Sequence, residues 1–395
     1  MAKSIKRKRW LEIFSASTKL GFTSFGGPVA HLGYFKNEYI DKRKWLDDKT
    51  YADIIALCQF LPGPASSQVG IAIGMLRGGL LGGLISWIGF TLPSILALVL
   101  FAFFYQSTAL GEAGWIHGLK IVAVAVVAQA VIGMGQKLTP DKPRITIAIV
   151  AAVMTLAWPS ALGQILIILA ASMAGLALYR KQDVPEIQEM DVSISKRTGI
   201  IAWGLFFTLL IGLPLLRPII QNGAFDVFDT FFRVGSLVFG GGHVVLPLLE
   251  REVVPIGWVN TDEFLAGYGM AQAVPGPLFT FASYLGAMIN GIGGAVIATI
   301  GIFLPSFLLI IGSLPFFNEV RKRPRFQAAL TGINAAVVGL LLAALYDPVW
   351  TSSIKTTQDF ILALVLFGLL FFWKYAPWLV VLIGALGGYV LTLIN

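Results

Sequence analysis

Residues 19–27, Lys-Leu-Gly-Phe-Thr-Ser-Phe-Gly-Gly, return at 233–241 as Arg-Val-Gly-Ser-Leu-Val-Phe-Gly-Gly. The correspondence runs on: Leu32 and Glu38 match Leu246 and Glu252, and Trp45 matches Trp258. Gln59 and Pro62-Gly63-Pro64 match Gln272 and Pro275-Gly276-Pro277. Leu92-Pro93-Ser94 matches Leu304-Pro305-Ser306, and Ala125-Val-Val127 matches Ala336-Val-Val338. The offset shortens one residue at a time along the chain, as in a duplicated half that has lost single loop residues. Any fold for this chain must therefore be one plan built twice.

The solvent for that plan is lipid. Of 395 residues, 56% are hydrophobic and 13% charged, with a mean hydropathy of +0.79. Soluble domains carry about 45–50% apolar and about 25% charged residues, and no aqueous core buries this excess. The length divides into roughly ten elements of about 20 residues, which predicts an all-α polytopic membrane protein. Cys58 is the single cysteine, which excludes a disulfide scaffold. His31, His117 and His243 are too dispersed for a His-ligated metal centre, so no metal and no cofactor is expected. The net charge of +8 fits basic cytoplasmic loops better than nucleic-acid binding. The basic N-terminus lacks a small-residue cleavage site after its apolar run and is expected to be retained.

Charge sets the relative orientation of the two halves. The loop after the first Phe-Gly-Gly carries Lys36, Lys42, Arg43, Lys44 and Lys49, whereas its counterpart at 250–262 carries only Arg251. The loop after Leu-Pro-Ser reverses this, with no cation at 106–114 and Arg321, Lys322, Arg323 and Arg325 in the second half. Lys and Arg mark the cytoplasmic side. Corresponding loops therefore fall on opposite faces, the mark of an inverted-topology repeat as found in secondary transporters. The expected organisation is a first repeat at 1–180, a polar linker with an orientation-reversing helix at 181–222, and a second repeat at 223–395.

A helix reaches the middle of a ~30 Å hydrocarbon layer in about 10 residues. Phe25-Gly-Gly-Pro28 interrupts 15–37 at that depth, and Pro62-Gly-Pro64 interrupts 51–76. Proline removes a donor and clashes with the preceding turn, and glycine allows the bend. Both stretches, and their copies at 231–250 and 263–290, read as broken or re-entrant helices, with a kinked crossing as the alternative. Ordinary spans are expected at 80–105, 118–138, 145–158, 160–179, 199–220, 293–317, 326–347, 357–373 and 376–394.

Phe-Gly-Gly, the following Trp, Gln59-Phe-Leu-Pro-Gly-Pro64, the Arg77-Gly-Gly run and Trp87-Ile-Gly-Phe-Thr-Leu-Pro-Ser94 resemble the chromate ion transporter family. The likeness is to its long, two-domain bacterial members and covers nearly the whole chain. It implies chromate efflux across the bacterial cytoplasmic (inner) membrane, with sulfate as a competing analogue.

Chromate is a tetrahedral dianion, and broken helices offer it unpaired N–H groups and about half a positive charge at each N-terminus. The candidate binding residues are accordingly Phe25, Gly26, Gly27, Pro62, Gly63 and Pro64, with their copies Phe239, Gly240, Gly241, Pro275, Gly276 and Pro277. Ser66 and Ser67 add hydroxyls after the first Pro-Gly-Pro, and Gln68 an amide. Thr280 lies in the less polar second copy, so the site should lean toward the first half. Packing and kinking of helices is the alternative role for these glycines and prolines. Gln59 and Gln272, one turn before the breaks, either donate to the oxyanion or cap a helix. Lys19 and Arg233, each six residues before its Phe, either face the anion or snorkel to the interface. Glu38, Glu252 and Arg77 are coupling or gating candidates, against salt-bridging and anchoring as the plainer roles. Asp53 and His31 are secondary proton-relay candidates, His243 reads as structural, and Trp45 and Trp258 suit interfacial anchors.

No Gly-x-Ser-x-Gly, His-Glu-x-x-His or Walker A sequence occurs, which argues against an enzyme or a directly ATP-driven pump. Expelling a dianion from a negative interior gains about 4.6 kcal/mol per 100 mV. Export can thus run on membrane potential or a proton gradient. Uptake of sulfate or another oxyanion would need symported cations, and a passive anion channel stays open. Membrane lipid is the expected surrounding, a homodimer is an option, and nucleic acid is not a partner.

Overall fold

A computed structural model describes residues 2–25, 27–107, 114–179, 194–239, 244–316 and 324–394. Among the described residues all regular structure is helical. Helix α1 (Ala2–Thr23) and α2 (Gly27–Phe35) flank the first Phe-Gly-Gly, and a π-helical turn (Lys36–Lys42) follows. Helix α3 (Asp48–Phe60) and the long α4 (Ala65–Ser107) flank the first Pro-Gly-Pro. Then come α5 (Gly114–Leu138), α6 (Lys142–Ala157), α7 (Ala161–Tyr179) and α8 (Lys196–Ile220). The second half repeats the order with α9 (Gly223–Leu237), α10 (Val245–Val253), α11 (Thr261–Ala273) and α12 (Phe281–Ser313). It ends with α13 (Pro324–Ala344), α14 (Thr357–Phe371) and α15 (Pro377–Ile394).

Helices end at the expected breaks for local reasons. Leu61 and Val274 leave the helical region for extended backbone, where a residue ahead of Pro62 or Pro275 is pushed. Gly63 and Gly276 then take positive φ, 117° and 105°, which a side chain would resist. Gly26 and residues 240–243, with Gly240, Gly241 and His243 among them, lie outside the described residues.

α4 and α12 each contain a reversal. At Gly79 (φ 70°) the chain doubles back, so that the backbones of Gly74 and Gly82 touch and Ser86 Oγ donates to Gly70 O at 2.8 Å. At Asn290 and Gly291 (φ 54°) it does so again, with Gly286 against Gly294 and Thr299 Oγ1 donating to Ser283 Oγ at 3.0 Å. Residues 65–78 therefore run antiparallel to 80–107, and 281–289 to 292–313. The returning arm of α4 packs against α1, that of α12 against α9, and the two long helices pack on each other.

Five stretches are long and apolar enough to cross a membrane: Ala65–Ser107, Gly114–Leu138, Lys196–Ile220, Leu278–Phe316 and Gln327–Ser353. Gly163–Tyr179, Thr357–Phe371 and Pro377–Thr392 are shorter apolar helices. Large apolar side chains such as Leu100, Met173, Leu215, Ile219 and Leu386 are exposed along these elements, as lipid-facing surfaces require. The chain is a multi-pass, all-α membrane protein. Over the expected span 326–347 the α-helix runs to Ala344 and a π-helical turn (Leu345–Trp350) carrying Asp347-Pro348 continues it.

Candidate functional site: the crossed breaks

The breaks meet, and they meet across halves. Gly63 N–H donates to Val238 O at 2.6 Å, directly before the second Phe-Gly-Gly. Gly276 N–H donates to Ser24 O at 2.9 Å, directly before the first. Each Pro-Gly-Pro turn also presses on the Leu-Pro-Ser helix of the other half. A Cβ on Gly63 would lie 2.7 Å from Ser306 Oγ, and one on Gly276 2.8 Å from Ser94 Oγ. Four interrupted helices thus converge where α4 crosses α12, held by main-chain bonds that depend on glycine at two duplicated positions.

The first-half side of this junction is polar, buried and underpaired. Gln68 Nε2 donates to Pro62 O at 2.6 Å, leaving Gln68 Oε1 with no partner. Ser67 Oγ, Ser306 Oγ and Ser24 Oγ are also buried without partners. His31 Nδ1 lies 3.2 Å from Ser66 Oγ, its ring stands edge-on to Phe90, and its Nε2 is unpaired. Such groups are costly unless something satisfies them. At the start of α4 the first backbone bond is Gln68 N–H to Pro64 O. The N–H groups of Ala65, Ser66 and Ser67 are thus the helix's unpaired donors.

The second-half side is quieter. Thr280 Oγ1 donates to Pro277 O at 2.7 Å and Ser94 Oγ to Thr91 O at 3.0 Å, so both hydroxyls are engaged. Gln272 leaves a buried, unpaired Nε2, whereas Gln59 is exposed. Pro62 and Phe239 border an apolar cavity of about 330 Å³ with Leu61, Trp203, Phe206 and Leu309. Phe25 packs on Trp378 at 6.4 Å between centroids. The aromatic members of the motifs are thus surrounded by apolar groups.

Each of the two corresponding cations is already paired with the corresponding acid of its own half. Lys19 Nζ lies 2.7 Å from Glu38 Oε2, and Arg43 Nε lies 2.8 Å from Glu38 Oε1. Arg233 grips Glu252 with two bonds of 2.7 and 3.0 Å and touches Asp229 at 3.2 Å. Both sequence separations are 19 residues, a regularity visible in the sequence that could have announced the pairing. Arg77 pairs with Glu12 at 2.8 Å and stacks over Trp45 at 4.4 Å, well away from the breaks. The side chain of Asp53 lies outside the described residues.

Sequence reasoning missed several polar contacts that tie the halves together. Lys120 reaches Asp262 at 2.9 Å, and His117 Nε2 reaches Asp359 Oδ1 at 2.7 Å. Ser306 was visible as part of a repeat, but nothing in the sequence placed it against the other half's turn. Among the described residues no cluster of His, Cys, Asp and Glu could hold a metal ion.

Comparison with known proteins agrees with this architecture. The Chromate transporter family matches residues 11–176 and again 225–389. A chromate transport protein of Pseudomonas aeruginosa is 28% identical over 346 residues, 85% of this chain and 80% of that protein. An uncharacterized transporter of Methanocaldococcus jannaschii is 27% identical over 392 residues, 96% of this chain and 94% of its own. A shorter uncharacterized transporter of Bacillus subtilis is 30% identical over 151 residues, covering 36% of this chain but 85% of itself. No solved structure matches. With the family found once in each half, around the same interrupted helices, the chain belongs to the chromate transporter family.

Proposed function

We propose that this protein is a secondary active transporter that exports chromate across the bacterial cytoplasmic membrane, binding it at the crossed breaks. The observation that supports this most is the set of buried, unpaired polar atoms on and beside the start of α4: Ser67 Oγ and Gln68 Oε1 on it, His31 Nε2 on the ring that meets Ser66, and Ser306 Oγ of α12 at the Gly63 turn. A small polar solute is what such a cluster would satisfy, and the N-terminus of residues 65–78 favours an anion there. The relatives named for chromate transport supply its identity.

The two halves are proposed to be inverted in the membrane. Basic residues 36–49 and the start of α1 then share the cytoplasmic face with Arg321, Lys322, Arg323 and Arg325. Both hairpins of each half re-enter toward the midplane, and the reversals at Gly79 and Gly291 turn them back on opposite faces. Rocking of one half against the other around the fixed junction gives alternating access. Outward movement of negative charge is driven by membrane potential, about 2.3 kcal/mol per charge per 100 mV.

Everted vesicles energised to interior-positive potential test this directly. Accumulation of labelled chromate, saturable and stimulated by counter-flow, is the expected result. Accumulation only in right-side-out vesicles would mean uptake, and unsaturable flux would mean a channel.

A further inference from the structure

The cavity beside the first crossed turn is apolar, opens toward lipid and has a basic rim. We propose that it holds one acyl chain of an anionic phospholipid. The head group rests on Lys196, Arg197 and Arg325, and the tail ends against Pro62 and Phe239.

The walls set the character of the cavity. α7 leans on α13, whereas α8 leans on α12 and α9, so the two outer walls belong to different packed groups. Leu169 of α7 lines the cavity and is 56% exposed. In a membrane protein that opens the space sideways onto hydrocarbon. The volume of about 330 Å³ lies at the small end of ligand sites, which run to about 1,000 Å³. Polar groups on the walls are turned to other partners. Ser236 Oγ donates to Phe232 O at 2.7 Å, and the indole nitrogen of Trp203 lies over Gly312. A hydrocarbon chain suits such walls, and an oxyanion does not.

Depth and charge identify the chain as a lipid tail. At 1.5 Å per residue, Trp203 and Leu210 lie roughly 10 and 21 Å from Lys196, which opens α8. Ser172 and Ile165 lie roughly as far from Tyr179, which ends α7. Ala329 and Ile333 lie roughly 8 and 14 Å from Pro324, which opens α13. All three walls thus place the cavity at the depth of one leaflet, about half of a ~30 Å hydrocarbon layer. Gly175 packs on Ala328 and Gly332, and Gly199 packs on Pro315 and Phe316, from where the chain returns to Pro324 through residues 317–323. At these ends Arg197 and Arg325 are exposed, and Lys196 Nζ stands 5.9 Å from the centre of the Phe316 ring. A basic cluster above an apolar cleft matches an anionic head group with its tail below.

The duplicated position supports this reading. Phe25, the counterpart of Phe239, has the Trp378 ring beside it at 6.4 Å between centroids. One crossed turn is therefore backed by an aromatic ring of the protein itself. The other, where Gly63 N–H meets Val238 O, is backed by the lipid tail. The site is independent of which anion the protein carries.

Photolabelling in proteoliposomes of phosphatidylglycerol and phosphatidylcholine in equal amounts tests the proposal. A trace of either lipid carries a diazirine near the end of one acyl chain, and adducts are located by mass spectrometry of peptides. Labelling should concentrate on 165–172 and 203–210, several-fold above the outward surface of α15 around Leu386. The phosphatidylglycerol probe should exceed the phosphatidylcholine probe there by about fivefold or more. Arg197→Gln combined with Arg325→Gln should bring that ratio toward one. Ala329→Phe, which puts a ring into the cavity, should lower labelling of both segments several-fold and leave α15 unchanged. Ser172→Phe fills the same space from the opposite wall should the first variant fail to fold. Labelling no stronger than on α15, or indifferent to filling, would overturn the cleft as a lipid site. Equal labelling of the unmodified protein by the two probes would overturn the anionic head group.

Discussion

Lys19 keeps half of its side chain in solvent and shares Glu38 with Arg43, whereas Arg233 is largely buried between Asp229 and Glu252. Equal positions in the repeat thus carry unequal energies. Lys19→Gln leaves Glu38 with Arg43, and its cost should not exceed about 1 kcal/mol. Arg233→Gln leaves Glu252 without its partner and the inaccessible Asp229 with only Arg217 at 3.5 Å, and should cost up to about 3–5 kcal/mol. Thermal unfolding of the purified variants in detergent checks both, and adding Glu252→Gln to Arg233→Gln should recover part of the loss. A large loss from Lys19→Gln would contradict the geometry. The cations were legible in the sequence as charges inside apolar arms, and their acids as a matched pair 19 residues further on, but the extra partners were not. Asp229 corresponds to Ser15 at the same offset, so nothing in the repeat pointed to a second acid on Arg233.

At the level of elements, the breaks were legible because proline and glycine act locally. Helices end at Phe60 and Ala273, before Pro-Gly-Pro, without help from the rest of the chain. What could not be read was which turn seats against which helix, because that is decided by packing between residues hundreds of positions apart. Gly63→Ala and Gly276→Ala should each strain the backbone by roughly 1–3 kcal/mol. Transport should nevertheless fall further for Gly63→Ala, whose methyl would displace Ser306 Oγ and the Gln68 amide. The methyl of Gly276→Ala meets a Ser94 hydroxyl already bonded to Thr91. Initial rates of chromate counter-flow, normalised to protein in the membrane, distinguish the two. Away from the site, Asp141 opens α6, accepting from Arg144 N–H at 3.0 Å and from its side chain at 2.7 Å. The bonds from Arg144 hold its carboxyl down at about 2. A depressed acid stabilises the fold above its unfolded pKa and loses that contribution as pH falls toward the folded one. Fraying of the α6 start should therefore appear below the ordinary carboxylate range, and Asp141→Asn should remove that pH dependence, as hydrogen exchange at Ile145 would report.

For the whole molecule, the stretches expected from apolar run length each coincide with an observed helix to within a few residues, two of them starting at the reversals at Gly79 and Gly291. The orientation of the halves rests on loop charge and is open to direct measurement. In a Cys58→Ser background, single cysteines at Lys42 and Thr261 should react with an impermeant reagent from opposite membrane faces. Reaction from one face would refute inversion.

The main-chain bonds from Gly63 to Val238 and from Gly276 to Ser24 are reciprocal, each half supplying the turn that completes the other. Inheritance is constrained by such an exchange. Once two copies of an ancestral segment lean on each other in this way, neither can drift alone, because a change in one turn is felt by the opposite copy. Fusion into one reading frame then fixes the partnership without creating it. Two half-length genes, cut within 181–193 and expressed together, should accordingly rebuild chromate resistance that neither half confers by itself.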